Sequence, residues 1–415
     1  MKVLRCGRLI TGKGDVLEDT AVLIDGSKIA DVGEGNSIDV PRGAEEIDCS
    51  KMTVFPGLID PHLHFAIGPG QNYEEQFSTP DSIQLISGVV NARCTLDSGV
   101  TTARDLGARN RVALDLRLAT ERGLILAPRL LVCGRSITMT GGHFHYCNAE
   151  ADGYEGVRRI TRQLLKEGVD FIKIMTSGGG TVGTRRDLPS YTVEEIRAAV
   201  DVAHGLGKTV TAHCHATQAI INAVDAGVDI IEHCSFLEPD GKGGVRHEFR
   251  EDVAEEIVKN GIYVDNILGP TRLNPVSQER SFENFRGLRG AGAKMLPGTD
   301  GLRLFQTGLM SLALEMWVRG GASPMDAITA ATEKSAAASG VGDTVGTVEK
   351  GKEADFVVVD GNPLEEIRIL REPQLVIKGG RIIPPSGRVE ARAELERFAG
   401  KVLPLLDELG IPRRP

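Results

Sequence analysis

The chain has 415 residues, which is enough for one large domain with a smaller one beside it. Its formal net charge of −9 argues against nucleic acid or an anionic membrane as the main partner. The seven cysteines include no Cys-x-x-Cys pair, so we expect buried thiols in a reducing compartment, not a disulfide framework. No apolar run is long enough for a signal peptide or a membrane span, and the cytoplasm is the expected location.

Residues 1–53 are predicted to form short strands separated by turns. Apolar or alternating stretches cover Val3–Ile10, Thr20–Ile24 and Lys28–Val32. The dipeptide Asp25-Gly26 lies between two of them and is a hairpin signal. Because no long helical period occurs here, the segment predicts a small β module.

From Val54 onward the pattern changes to strands that alternate with helices. Apolar strand candidates are centred near residues 55, 101, 130, 171, 210, 230, 263 and 295. A glycine, which ends helices in the left-handed conformation, precedes six of these strands: Gly99, Gly168, Gly207, Gly227, Gly261 and Gly292. The segment Thr192-Val193-Glu194-Glu195 is a capping-box pattern and predicts the start of a helix.

Eight strands alternating with helices predict an α/β fold, a (β/α)8 TIM barrel, over residues 56–344. A doubly wound sheet is the alternative, which the lack of a Gly-x-Gly-x-x-Gly segment after the first strand makes weaker. After about residue 345 the pattern returns to β, so we expect residues 1–55 and 345–389 to form one small β-sandwich domain. Residues 390–415 carry Leu395, Phe398, Val402 and Leu405 at helical spacing and predict a C-terminal helical tail.

Ionisable side chains recur at the carboxyl ends of the predicted barrel strands, where such barrels carry their active sites. His62 and His64 follow the first strand and point the same way, because alternate side chains of an extended chain share a face. The other members of this set are Lys173, His213, His215, His233 and Asp300. Imidazole and carboxylate suit zinc-type ions, so their collection at one rim predicts a metal site. Taken alone, His62 and His64 are equally consistent with two partly exposed polar residues at a strand end.

Lys173 is unusual because it lies within an apolar strand, where an unpaired ammonium group is costly to bury. One interpretation is a lysine paired with a carboxylate, or one that reaches out from the helix-facing side. The other is an amine that has reacted with carbon dioxide to form a carbamate. Such a group is anionic, has two oxygens and suits a bridge between two metal ions.

The motif Pro56-Gly57-Leu58-Ile59-Asp60-Pro61-His62-Leu63-His64, together with the lysine, histidines and aspartate at later strand ends, resembles the metal-dependent amidohydrolase superfamily. The segments Thr140-Gly141-Gly142-His143 and Ala212-His213-Cys214-His215 look like its prolidase-like branch, which cleaves dipeptides and N-acyl amino acids. The resemblance covers nearly the whole chain, including the split β domain.

The resemblance implies a role for each strand-end residue. His62, His64 and Asp300 would hold one divalent metal ion, expected to be zinc, and His213 and His233 would hold the second. Carboxylated Lys173 would be shared between the two ions. His215 is expected behind the metal ligands or against the substrate. His143 would contact a substrate carbonyl or carboxylate, with His145 as the alternative.

The mechanism implied is hydrolysis of an amide bond by a hydroxide that bridges the metals, because a metal lowers the pKa of bound water to about 7. Asp300 would act as general base and then general acid, protonating the departing amine. For specificity the sequence offers Arg185 and Arg186, either of which suits a substrate carboxylate. Tyr191 and Tyr146 are further candidates.

Alternatives for the substrate are a cyclic amide, a phenylurea, a carbamate and an organophosphate ester or lactone, all on the same site. The expected partner is a small-molecule substrate, with no nucleic acid and no membrane, and we expect a homo-oligomer. His204, on a predicted helix, and His247, in a charged loop, are expected to be solvated.

Overall fold

The computed structural model describes residues 1–35, 37–67, 75, 78–268, 275–301, 310–386, 400 and 404, with backbone alone at 275–277. The helical tail predicted for residues 390–415 lies outside these ranges except at Gly400 and Pro404. None of the helices in the described ranges combines the length and the apolar character needed to cross a bilayer.

Both ends of the described chain contribute to one seven-stranded sheet, whose strand order is β16-β15-β14-β4-β1-β2-β3. Its strands are β1 (Lys2–Ile10), β2 (Val16–Asp25), β3 (Lys28–Glu34), β4 (Glu45–Pro56), β14 (Phe356–Asp360), β15 (Leu375–Lys378) and β16 (Arg381–Ile382). Strand β4 is the junction, since it pairs parallel with β1 and antiparallel with β14. The ends therefore meet in one hydrogen-bonded sheet, and a sandwich of two facing sheets stays a prediction.

Between these ends, strands and helices alternate as predicted. The strands are β5 (Leu58–Leu63), β6 (Val100–Asp105), β7 (Arg129–Val132), β8 (Ile172–Met175), β9 (Val210–Ala216), β10 (Ile230–Pro239), β11 (Val245–His247), β12 (Tyr263–Asp265) and β13 (Lys294–Leu296). The helices are α1 (Asp81–Asp97), α2 (Val112–Glu121), α3 (Gly153–Glu167), α4 (Val193–His204), α5 (Thr217–Ala226), α6 (Glu251–Lys259), α7 (Pro275–Ala291), α8 (Met310–Arg319), α9 (Pro324–Thr329) and α10 (Ser335–Ala338). A π turn at Ala330–Lys334 joins the last two helices, and 3-10 turns occupy His145–Cys147 and Ile367–Arg371.

These strands form two parallel sheets, one of β5-β6-β7 and one of β8-β9-β10-β12-β13, with β11 added antiparallel to β10. Backbone contacts connect the two sheets on both sides. A parallel bridge joins Ile137 to Ile174, and the Asp300 N–H donates to the His62 carbonyl oxygen over 2.7 Å. All eight parallel strands thus direct their carboxyl ends toward the same side, which we call the mouth.

The glycines singled out before the strands have the predicted backbone conformation. Positive φ is found at all six of them: Gly99, Gly168, Gly207, Gly227, Gly261 and Gly292. Gly168 and Gly227 directly follow α3 and α5 as left-handed caps. The capping box is present as well, since the Thr192 side chain accepts from the Glu195 N–H at the start of α4.

The single strand predicted near residue 55 is wrong, because two strands meet there. Strand β4 ends at Pro56 in the seven-stranded sheet, and β5 begins at Leu58 in the parallel one. Gly57 lies between them, where an added Cβ would be 2.0 Å from Thr101 Oγ1. The close approach of β6 therefore requires glycine at the point where the chain passes from one sheet to the other.

Candidate metal centre

A first group of possible metal ligands consists of His62, His64 and Asp300. The two histidines project from the end of β5, and Asp300 follows β13. Asp300 Oδ1 lies 3.1 Å from His62 Nε2 and 3.5 Å from His64 Nε2. The side chains therefore converge from the first and last parallel strands, within the distance at which one cation could be shared.

A second group consists of His213, His215 and His233, from the ends of β9 and β10. Their ring centroids are 4.5 Å apart in each of the three pairs. The His233 ring is also 5.3 Å from that of His62. The two groups thus adjoin at one mouth, although 170 residues lie between His62 and His233 in the sequence.

The backbone at two of these residues takes a conformation that is unfavourable for side chains other than glycine. His233 has φ of +66° and Asp300 has φ of +63°. Left-handed backbone at such residues costs of order 1 kcal/mol and persists where surrounding contacts hold it. His233 lies in β10 where its register with β9 shifts, Asp300 lies four residues after β13, and both side chains line the same cavity.

Lys173, in the middle of β8, is 1% exposed, and its Nζ makes no hydrogen bond within the described part of the chain. Burial lowers the pKa of Lys173, which favours the neutral amine. A neutral amine has the lone pair that reaction with carbon dioxide requires. The residues present therefore suit a carboxylated lysine shared by two cations, with His62, His64 and Asp300 as donors to one and His213 and His233 as donors to the other.

Two aspartates hold the loop that carries the first histidines. Asp60 accepts from the His62 N–H over 3.1 Å and from Thr299 Oγ1 over 2.6 Å, which ties β5 to the segment before Asp300. Asp105, at the end of β6, accepts from the Phe65 N–H over 3.1 Å. Burial raises the pKa of Asp60 to about 7 and that of Asp105 to about 6.

Two more carboxyl groups lie behind His62. Its Nδ1 is 2.7 Å from Glu232 Oε2 and 2.9 Å from Asp265 Oδ2. Burial, and next the Glu232 carboxylate, raises the pKa of Asp265 to about 8. Asp60, Asp105, Glu232 and Asp265 have no role predicted from the sequence. The sequence signal for such residues is a carboxylate at the end of a buried strand. This signal can be interpreted only when the histidine that the carboxylate contacts is known.

His213 and His215 differ in how their ring nitrogens are used. His215 Nδ1 lies 2.8 Å from Ser235 Oγ, and its Nε2 lies 3.0 Å from Arg186 Nη2. Because a guanidinium can only donate, Nε2 is the acceptor and Nδ1 carries the hydrogen. His213 has one such contact among the described residues, between Nε2 and the Gly178 carbonyl oxygen at 3.3 Å. His213 is therefore better placed to give a nitrogen to a metal.

His143 is buried, with its ring centroid 4.7 Å from that of His213 and its Nδ1 2.8 Å from Thr181 Oγ1. Burial, and next Arg186, lowers the pKa of His143 to about 3, so the ring is neutral. An added Cβ at Gly179 would be 2.3 Å from this ring, so the glycine run makes room for it. His145 instead packs its ring on Tyr146 at 3.9 Å.

Three of the other predicted residues have contacts of their own. Arg186 lines the mouth beside His215, as described above. Arg185 is half exposed, and its guanidinium forms two hydrogen bonds to Asp187. Tyr191 is buried and donates its hydroxyl to the Ala151 carbonyl oxygen over 2.7 Å. Tyr191 is not among the described residues that line the mouth, and its contact with a substrate stays a prediction.

The expectation that His247 is solvated is wrong. Its side chain is 7% exposed, lines the mouth and forms a 2.7 Å hydrogen bond through Nε2 with Asn284 Oδ1. The charged loop containing His247 forms β11, which pairs antiparallel with β10, and the ring contacts Asn284 of α7. His204 is 43% exposed and pairs with Asp229 over 2.8 Å, at the end of α4.

The mouth is a cavity of about 730 Å³, large enough for a substrate of dipeptide size or somewhat more. Its floor contains both ligand groups and Lys173. Its described walls include apolar side chains, namely Phe144, Met175, Leu237, Val245 and Ile267. Arginines also face it, namely Arg185, Arg186 and Arg280. The cavity therefore combines an apolar wall with excess positive charge above the floor.

Comparison with known proteins agrees with this arrangement. The profile of the amidohydrolase family matches residues 53–383, which is most of the chain. The chain belongs to the amidohydrolase family. This amidohydrolase is 28% identical to ochratoxinase from Aspergillus niger, over 93% of this chain and 87% of that protein.

Solved structures of amidohydrolases are also similar. A Xaa-Pro dipeptidase with bound methionine in its active site has a TM-score of 0.80 and 28% identity, over 92% of this chain and 99% of that one. A prolidase complexed with N-methylphosphonate-L-proline has a TM-score of 0.80 and 29% identity over the same shares. The protein is a metal-dependent amidohydrolase of the prolidase-like branch, and thus a hydrolase acting on C–N bonds.

Proposed function

We propose that the protein hydrolyses the amide bond of a small substrate such as a dipeptide or an N-acyl amino acid. The observation that carries this proposal is that His62, His64 and Asp300 adjoin His213 and His233 on the floor of one cavity, which Lys173 also lines. The similarity to ochratoxinase and to a Xaa-Pro dipeptidase, each over more than 90% of this chain, supports an amide substrate.

The fold in this proposal is a closed (β/α)8 barrel of residues 56–344 with a β-sandwich of residues 1–55 and 345–389. The backbone contacts on both sides of the two parallel sheets support closure. In such a barrel the floor of the cavity is the carboxyl end of the sheet, where catalytic groups gather.

The metal centre in this proposal holds two zinc ions. His62, His64 and Asp300 would hold one, His213 and His233 the other, and carboxylated Lys173 both. When bound, the ions supply a Lewis acid for the substrate carbonyl and lower the pKa of bound water. His215 is assigned to the wall, because both of its ring nitrogens already contact Ser235 and Arg186.

Asp300 is the proton carrier in the proposed mechanism. It lies at the cavity floor between His62 and His64, which lower the pKa of its carboxyl to about 2 against the effect of burial. The carboxylate is thus ionised and accepts a proton from the nucleophile. It then returns this proton to the departing amine, which leaves poorly from an amide without one.

His143 and Arg186 are the proposed substrate-binding residues. His143 is neutral and lines the cavity beside His213, so it can hydrogen-bond a substrate oxygen without adding charge. Arg186 is held over the second ligand group by His215, where its charge suits a substrate carboxylate. We therefore expect substrates in which a free carboxylate lies close to the scissile nitrogen.

A kinetic screen tests the proposal. The zinc-loaded protein is assayed on dipeptides, N-acyl amino acids, the carboxamides of the same compounds, phenylureas, carbamates and organophosphate esters. We expect the highest kcat/KM among dipeptides or N-acyl amino acids. A preference for an ester, a urea or a carbamate would replace the proposed substrate class, and inactivity on the whole panel would contradict it.

A further inference from the structure

The carboxyl pair behind His62 has no role in the proposed reaction, yet it is among the most buried polar clusters in the described chain. His62 is 1% exposed, and Glu232 and Asp265 are 0% exposed. Both carboxyl groups face Nδ1, the nitrogen on the side of the ring away from Asp300. Burying two carboxyl groups is costly unless their oxygens have partners.

Those partners come from the neighbouring strands. The Thr211 hydroxyl, on β9, donates to Glu232 Oε1 over 2.5 Å. The Gly298 N–H, after β13, donates to Asp265 Oδ1 over 2.8 Å. Each carboxyl group is thus held by one oxygen and directs the other at His62 Nδ1. Parallel pairing explains the match, since Glu232 and Asp265 are register partners in β10 and β12.

Gly298 packs closely against the Asp265 carboxyl group and the His62 side chain. An added Cβ at Gly298 would lie 2.1 Å from Asp265 Oδ2 and 2.6 Å from His62 Cβ. Glycine at 298 therefore lets β13 close over both side chains. The same contact brings the donor that holds Asp265 Oδ1.

We propose that Asp265, with Glu232, is a positioning residue of the metal centre. The pair keeps the hydrogen of His62 on Nδ1 and holds the plane of the ring. The lone pair of Nε2 is then directed to the cavity floor, where the ion is expected. Carboxylates that support ligating histidines in this way change metal affinity by about 10–100-fold. The inference rests on the proposed metal centre.

The test is the zinc affinity of Asp265→Asn, measured on metal-free protein by competition with a chromophoric chelator. An asparagine has one carbonyl oxygen, which can accept from Gly298 N–H or from His62 Nδ1–H but not from both. We expect zinc affinity at one site to fall by about 10–100-fold. Glu232→Gln, which retains an acceptor for Thr211, is the second variant and has the same expected direction.

The effect of Asp265→Asn is also measured in a chain that carries His62→Ala. If Asp265 acts through His62, Asp265→Asn weakens zinc binding in the wild-type chain but adds nothing in the His62→Ala chain. The matched control is Asp355→Asn, because Asp355 is 5% exposed and accepts from Arg129 and from the Gly379 N–H, with neither contact involving a proposed ligand. This control is expected to leave zinc affinity unchanged.

An unchanged affinity in Asp265→Asn and Glu232→Gln would overturn the inference, as would an equal loss in the His62→Ala background. If Asp265→Asn fails to fold, Glu232→Gln decides by the same two criteria. Failure of the wild-type chain to bind zinc would instead overturn the proposed metal centre. The two failures are thus distinguished by the wild-type titration alone.

Discussion

Asp300 combines three properties that its proposed role requires. It lies near two histidines, its carboxyl is kept ionised by them, and its backbone is held in a left-handed conformation that directs it into the cavity. Replacing one carboxylate oxygen by an NH2 group, as in asparagine, would keep the shape of the side chain. It would remove the capacity to carry a proton.

We therefore expect Asp300→Asn to lower kcat for amide hydrolysis by at least about 10²–10⁴-fold, the usual contribution of general acid–base catalysis. His213→Ala should be at least as damaging, because it also removes a proposed metal ligand. Far-UV circular dichroism should change little in either variant. Turnover at the wild-type rate in either one would contradict the assignment.

Arg186 lies close to the proposed second ion through its contact with His215 Nε2. Arg186→Met should raise KM for substrates with a free carboxylate by about 10-fold or more, since a charge-assisted hydrogen bond contributes roughly 1.5–3 kcal/mol. The carboxamides of the same substrates serve as the control and should lose little. Equal losses for the two substrate series would show that Arg186 does not bind the carboxylate.

Lys173 gives a chemical prediction. Its buried amine has no hydrogen-bonding partner in the described ranges, which suits conversion to a carbamate. We expect chelator-treated protein to recover activity with zinc only slowly, and faster and further when bicarbonate is added. Activity recovery and mass are measured together. Identical recovery with and without bicarbonate would count against the carbamate.

At the level of elements, the ends of short strands determine which residues meet. Alternation in an extended chain was sufficient to place His62 and His64 on one face, because this rule is local. The partnership of Glu232 and Asp265 depends on the register between β10 and β12, which no local pattern specifies. Strand β12 has three residues, too few to show which face of the sheet Asp265 joins.

An ionisable side chain, Glu349, links segments from the two ends of the chain beside the seven-stranded sheet. Glu349 forms ion pairs with Lys13 at 2.7 Å and with Lys352 at 3.2 Å, and it accepts from Thr347 over 2.6 Å. The Lys13 ammonium, and next Thr347, lowers the pKa of the Glu349 carboxyl from 4.5 to about 2. A lowered pKa stabilises the fold above about pH 4.5, and this contribution is lost as the pH falls toward 2.

We therefore expect Glu349→Gln to destabilise the protein at pH 7 by about 0.5–1 kcal/mol, a value reduced by solvent screening at this partly exposed position. The difference from wild type should shrink as the pH is lowered from about 4.5 to 2. Denaturant unfolding at several pH values measures it. Glu366→Gln, which removes a carboxylate paired with Arg368 on the same chain segment, is the control for local pairing. A difference that is constant with pH would rule out the ion pairs as its cause.

At the level of the whole molecule, the proposed ligands come from both parallel sheets. His62 and His64 belong to the three-stranded sheet, whereas Lys173, His213 and His233 belong to the other. Metal binding should therefore stabilise the contact between the two parallel sheets as well as enable the proposed catalysis. Binding to the folded state alone adds about 2.7 kcal/mol at a hundredfold excess over Kd.

We expect the melting temperature to fall when the protein is dialysed against a chelator and to return when zinc is restored. Differential scanning fluorimetry measures both steps. A triple variant without His62, His64 and His213 is the control, and its melting temperature should not respond to zinc. An equal response in this variant would mean that the stabilising ion binds elsewhere.

Much of the architecture could be predicted from the sequence because it depends on repeated local signals. Glycines in left-handed conformation, a capping box and apolar strands marked the βα units before any contact was known. The walls of the cavity could not be predicted in this way. His247 is buried against Asn284, and Tyr191 donates to the Ala151 carbonyl oxygen; both partners are distant in sequence, so no local pattern specifies either contact. Cytoplasmic location and self-association stay predictions.

Gly57 has a consequence for how the protein can be divided. Strand β4 continues through this one residue into β5. The central strand of the seven-stranded sheet and the strand that carries His62 are therefore adjacent in the chain. The Gly57 N–H also donates to the Asp355 carbonyl oxygen, on the returning part of the chain, over 2.8 Å. A gene fragment that begins at residue 56 would thus lack the anchor of the catalytic strand. We therefore expect the seven-stranded sheet and the strand that carries His62 to fold together, since they are continuous in the chain and hydrogen-bonded at this point.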